Sequence, residues 1–132
     1  MKIRMLLAAL ATVAAQSAHA NNTIYDCQMN SRENHGWISQ RYVFDIDVAD
    51  MTATVASGHF EPMGAKVKRN NSGQYKLSWG VSLKTSAGHK IRLRYNAKIN
   101  PDTNAVEIRG RIVNTNAANK PVGFGSCKIH KA

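Results

Sequence analysis

Lys90-Ile91-Arg92-Leu93-Arg94-Tyr95-Asn96-Ala97-Lys98-Ile99 alternates without a break between apolar and polar side chains. A period of two is that of an extended strand with one face in a core and the other in water, because successive Cβ atoms leave opposite sides of the backbone. Ile91, Leu93, Tyr95, Ala97 and Ile99 therefore point inward, and Lys90, Arg92, Arg94, Asn96 and Lys98 outward.

The same reading extends in both directions. Asn100-Pro101-Asp102-Thr103-Asn104 is turn chemistry, and beyond it Val106, Ile108, Gly110 and Ile112 oppose Glu107, Arg109 and Arg111. Upstream, Tyr75, Leu77, Trp79, Val81 and Leu83 alternate with Lys76, Ser78, Gly80, Ser82 and Lys84, a long strand that Gly80 is expected to bend or bulge. Thr85-Ser86-Ala87-Gly88 and Asn70-Asn71-Ser72-Gly73 bracket it as turns. Further strands are expected over residues 23–29, 40–48, 51–57, 65–69 and 123–129, with Tyr42, Phe44, Ile46 and Val48 on the inner side of the second. No segment carries a sustained helical period with start and stop signals. The expected fold is all-β, a single antiparallel sandwich or small barrel of about eight strands.

The 132 residues, 43% hydrophobic, make one small domain. Lys2 and Arg4, the apolar run 5–15 and Ala18-His19-Ala20 have the form of a signal peptide over residues 1–20, leaving residues 21–132 as a single exported β domain, periplasmic or secreted. No apolar run is long enough for an integral membrane span. Cys27 and Cys127 are the two cysteines, near opposite ends of that domain in a disulfide-permitting compartment, and a Cys27–Cys127 bond is expected. It would bring the first and last strands together and restrict the unfolded chain by about 4 to 5 kcal/mol.

Charge is segregated. Losing Lys2 and Arg4 with the leader leaves 16 basic against 8 acidic residues, a net +8. Before Met63 there are 2 basic and 6 acidic residues, and from there on 14 basic and 2 acidic. Alternation assigns Lys66, Lys68, Lys76, Lys84, Lys90, Arg92, Arg94, Lys98, Arg109 and Arg111 to the outer surface. Matching Ile99 with Val106 and Leu93 with Ile112 sets Arg94 opposite Arg111 and Lys98 opposite Glu107. Such a face is either a solvated surface or an anion-binding one. The candidate anion-binding residues are Lys68, Lys76, Lys84, Lys90, Arg92, Arg94, Arg109 and Arg111. The expected partners are anionic polysaccharide, lipopolysaccharide or the DNA backbone, or lipid headgroups. Tyr75, Trp79 and Tyr95 fall on the inward parity, which leaves base stacking unsupported.

Catalytic and metal patterns are weak. Asp45, Asp47 and Asp50 lack the glycine and the twelfth-position glutamate of a calcium loop. His35, His59, His89 and His130 show no paired ligand spacing. Gly123-Phe124-Gly125-Ser126-Cys127 lacks the strand-to-helix setting of a phosphate loop, so its glycines are read as close packing or a bulge beside the disulfide. No enzyme, cofactor or metal is expected. A protein–protein interaction module in the cell envelope is one alternative. A carrier of a small apolar ligand, with Trp37, Tyr42, Phe44, Tyr75, Trp79 and Tyr95 lining a barrel cavity, is another.

Tyr25-Asp26-Cys27, Gly36-Trp37-Ile38, Leu77-Ser78-Trp79 and Gly123-x-Gly125-x-Cys127 together resemble small exported β-proteins of alphaproteobacterial type, a group without an established activity. The resemblance implies export and the cysteine pair, and no substrate. The Tyr-x-Cys start also looks like the secreted inhibitors of animal-type lysozyme. Those act on a strongly basic enzyme, which a +8 chain would repel, and their Ser-Gly-x-x-Tyr loop has no counterpart here.

Overall fold

The computed structural model describes residues 22–31, 36–58, 60–113 and 120–131. The proposed leader, His35, His59 and most of the Asn-rich loop before Pro121 lie outside the described residues. Eight strands follow one another: β1 (Asn22–Asn30), β2 (Arg41–Asp47), β3 (Thr52–Ser57), β4 (Met63–Arg69), β5 (Tyr75–Lys84), β6 (Lys90–Ile99), β7 (Ala105–Ile112) and β8 (Val122–Lys131). Each pairs antiparallel with the next, and β8 pairs with β1, so the sheet closes into a barrel rather than splitting into a sandwich. Closure leaves no strand edge open to water. No helix among the described residues is long and apolar enough to cross a membrane.

Closure is made at the cysteines. Cys27 and Cys127 occupy directly opposed positions in the β1–β8 ladder and are disulfide-bonded across 100 residues of chain. The expected pairings of Ile99 with Val106 and Leu93 with Ile112 are present.

The turns follow from their residues. Asn70 Oδ1 accepts from the backbone N–H of Ser72 (3.0 Å) and Gln74 (2.9 Å), and Gly73 takes the positive φ of 79° that this tight reversal needs. Asp47 Oδ1 likewise accepts from the N–H of Ala49 and Asp50, at 3.0 and 3.1 Å. That cap ends β2 at Asp47, and Val48, expected on the inner face, is exposed in the turn instead. Gly80 also departs from expectation. The β5–β6 register runs unbroken from Tyr75 opposite Ile99 to Lys84 opposite Lys90, with Gly80 facing Arg94 and no bulge.

Aromatic rings fill the interior. Trp79 on β5 reaches across to β2, its ring 5.6 Å from Phe44 and 6.1 Å from Tyr42, and stacks on Tyr95 of β6 at 5.5 Å. Tyr25 and Tyr75 meet at 6.1 Å on the same inward parity. Residues 36–40 cover one end of this core: Ile38 and Ser39 are buried, Trp37 is half-buried and its carbonyl accepts from the Tyr95 hydroxyl at 2.8 Å. The Tyr42 hydroxyl accepts from Ser39 N–H at 3.0 Å, so these two buried phenols have partners.

The glycines beside the disulfide are close-packing positions. A Cβ on Gly123 would lie 2.7 Å from Ile38 Cγ2, and one on Gly125 would lie 2.1 Å from the Gln28 carbonyl oxygen. The second neighbour is backbone of β1 and has no rotamer to yield. Gly125→Ala is therefore expected to lower stability by several kcal/mol, whereas Gly64→Ala, with nothing within 4 Å, stays within about 0.5 kcal/mol of the parent. Cys27→Ser with Cys127→Ser is expected to cost about 3 to 5 kcal/mol. Denaturant midpoints of the three variants check both statements.

Candidate functional site

The outer surfaces of β4, β5, β6 and β7 carry Lys66 and Lys68; Lys76 and Lys84; Lys90, Arg92, Arg94 and Lys98; and Arg109 and Arg111. All ten are exposed. These strands are consecutive, so the structure brings together every residue of the candidate anion-binding set. The ladder also opposes like charges. Lys68 faces Lys76, Lys76 faces Lys98, Lys84 faces Lys90, and Arg94 faces Arg111. Lys68, Lys76 and Lys98 thus form one row across three strands.

Neighbouring strands lie about 4.8 Å apart. The Debye length at physiological salt is about 8 Å, so charges in adjacent rows act within one screening length and their potentials add. Each directly opposed like pair costs the sheet a few tenths to about 1 kcal/mol. The fold tolerates that cost because the inner side of the same strands is fully committed: Leu77, Trp79, Tyr95, Ala97, Ile99 and Ile108 are all buried.

Three acidic residues sit elsewhere. Asp26 is on β1, and Asp45 and Asp47 are on β2, on the other side of the ring from β5 and β6. Arg41 makes a two-pronged ion pair with Asp26, Nε to Oδ1 at 2.9 Å and Nη2 to Oδ2 at 2.8 Å. That hydrogen bonding, aided by the nearby Lys128 and His130 charges, holds the Asp26 carboxyl below its ordinary range. Asp45 accepts from the Asn22 amide at 2.9 Å, and Asp47 is the turn cap already described. Both carboxylates have architectural work. Within the basic face, Glu107 pairs with Arg109 on its own strand and stands opposite Lys98. Arg69 is set apart from the face by leaning over the Tyr75 ring at 5.3 Å.

Two features escape a reading based on apolar runs. Phe124 is 57% exposed. Its outward direction follows from the inward Cys127 three positions on, and it stands between Glu107 of β7 and Asn30 of β1, at the rim of the basic rows. Lys120, just before β8, joins Asn96, Arg109, Gly110, Arg111 and Val122 around a surface recess of about 380 Å³. No group of three or more His, Cys, Asp or Glu able to hold a metal occurs among the described residues.

No protein-family model, curated protein or solved structure matches this chain.

Reversing the charge at the centre of the lysine row turns two repulsive cross-strand pairs into attractive ones. Lys76→Glu is expected to raise stability by about 0.5 to 1 kcal/mol at low ionic strength, a gain that fades as salt is added. Thermal melts at two salt concentrations test it, and an unchanged or lowered midpoint at low salt contradicts the account of the row.

Proposed function

We propose that this protein is an exported, non-enzymatic binding protein whose basic sheet face engages anionic envelope polymers or lipid headgroups. The observation that carries this reading is the set of four directly opposed like-charge pairs spread over four consecutive strands. A merely soluble surface has no need of them. Mixed signs keep a protein in solution equally well and stabilise the sheet.

A polyanion would bring counter-charge to these rows. Several of its phosphate, sulfate or carboxylate groups would lie against the lysine and arginine rows at once, and small counterions would be released from the polymer. The attraction would then be long-ranged, fast to form and strongly salt-dependent. Export, through the leader over residues 1–20 and the disulfide, puts such a face where envelope polysaccharide, lipopolysaccharide, bilayer surface or extracellular DNA is within reach. The filled aromatic interior offers less support to the carrier alternative.

Binding to immobilised heparin and to anionic vesicles, followed across a salt series, tests the proposal. Affinity is expected to fall steeply with added salt. Lys76→Glu is expected to weaken binding tenfold or more while leaving the protein at least as stable, and Lys131→Gln on β8 to change it little. Binding that persists in molar salt, or that responds equally to the two substitutions, overturns the assignment.

A further inference from the structure

We infer that the recess bounded by Asn96, Arg109, Arg111 and Lys120 is a discrete site for a phosphate monoester. The inference deepens the reading of the basic face as an anion-binding surface and rests on it. Arg109 and Arg111 leave the same face of β7 two residues apart, about 7 Å along the strand. Asn96 of β6 stands opposite Arg109, and Val122 of β8 flanks it on the other side. Lys120 lies two residues before Val122, beside Arg111, so three cationic side chains rise from three corners of one depression.

Gly110 belongs to the inward parity of β7, where a Cβ would come within 3.1 Å of the Tyr95 ring and of Pro121, so the backbone packs closely at this point. Its N–H is tied to the Pro121 carbonyl at 2.9 Å, which draws the segment carrying Lys120 against β7.

Charge selects the ligand. Arg109 donates through Nε to Glu107. Three cations against one carboxylate leave two positive charges, with Arg94 adding a further one from the position opposite Arg111. A dianion matches this set better than a monoanion. A phosphate monoester is close to dianionic at neutral pH and offers three acceptor oxygens in a geometry that arginine forks fit. The Asn96 amide adds a neutral donor. A diester has one negative charge and two substituents, and would leave part of the site uncompensated.

The test uses the full exported chain, isotopically labelled, titrated by NMR with glycerol 3-phosphate and separately with dimethyl phosphate. Saturable shifts centred on the Asn96, Gly110 and Arg111 amides are expected with the monoester, with dimethyl phosphate binding at least tenfold more weakly. Arg111→Gln and Lys120→Gln are each expected to weaken the monoester about tenfold, Arg111→Lys less, and Lys131→Gln not at all. Vesicles containing phosphatidic acid, compared with phosphatidylglycerol, identify the source. A preference for the former points to a lipid monoester, and saturation by glycerol 3-phosphate without that preference points to a soluble one. Shifts spread over all basic strands without saturation, or equal affinity for both esters, overturn the site. If salt-sensitive heparin binding survives that result, the recess alone has failed; if it is lost as well, the basic face has failed with it.

Discussion

Pairing of β1 with β8, fastened by Cys27 and Cys127, is the constraint from which the rest of the molecule follows. Every other strand pairing joins sequence neighbours through a short connection and would be equally at home in an open meander. Only the β1–β8 ladder makes the sheet a cylinder, and a cylinder has two surfaces with different fates. Its interior must be filled by alternate residues of all eight strands, which is why the rings of Tyr25, Tyr42, Phe44, Tyr75, Trp79 and Tyr95 all turn inward. Its exterior must then take whatever stands between them. The basic face is the outer half of the same alternation that builds the core.

The cost of closure is visible where it is made. β8 approaches β1 so closely that Gly125 has no room for a methyl group, and Gly123 yields its side-chain space to Ile38 from the segment over the barrel end. Two glycines two residues apart, with the second two residues before a cysteine, are the packing signature of that seam. The seam and the charged rows also lie next to one another, since β8 borders β7. The ring of Phe124 belongs to this border and is the most exposed of the large apolar side chains among the described residues, ahead of Val113, Ile129 and Val48.

Much of this was legible in the residues, and the exceptions have physical reasons. The clean alternation of β5, β6 and β7 determines both their inner faces and their register, so Arg94 opposite Arg111 and Lys98 opposite Glu107 follow from matching apolar sides. Barrel and sandwich share that local pattern, and only the placement of β1 against β8 separates them. Val48 continues an apolar alternation on paper, but the Asp47 side chain caps the turn one residue earlier and breaks it. Gly80 reads as a bulge because glycine is weak in strands, yet it sits on the outer wall, where a Cβ would meet only the Leu93 carbonyl at an ordinary 3.7 Å, and the ladder runs through it unbroken. The outward ring of Phe124 was within reach through the inward parity of Cys127. The recess at Lys120 was not, since it depends on how the approach to β8 lies against β7.

The order of pairing has a consequence for how such a chain is made. Seven hairpin steps are local and can form as each strand appears, but β1 has to wait for β8, a hundred residues later, before its second edge is satisfied. A polypeptide delivered amino-end first therefore carries an unpaired, half-apolar border throughout its emergence, together with a thiol awaiting its mate. The interval between the arrival of the two cysteines is the window in which this protein is most exposed to sticking or mispairing, and a holdase or thiol oxidant would act on it there.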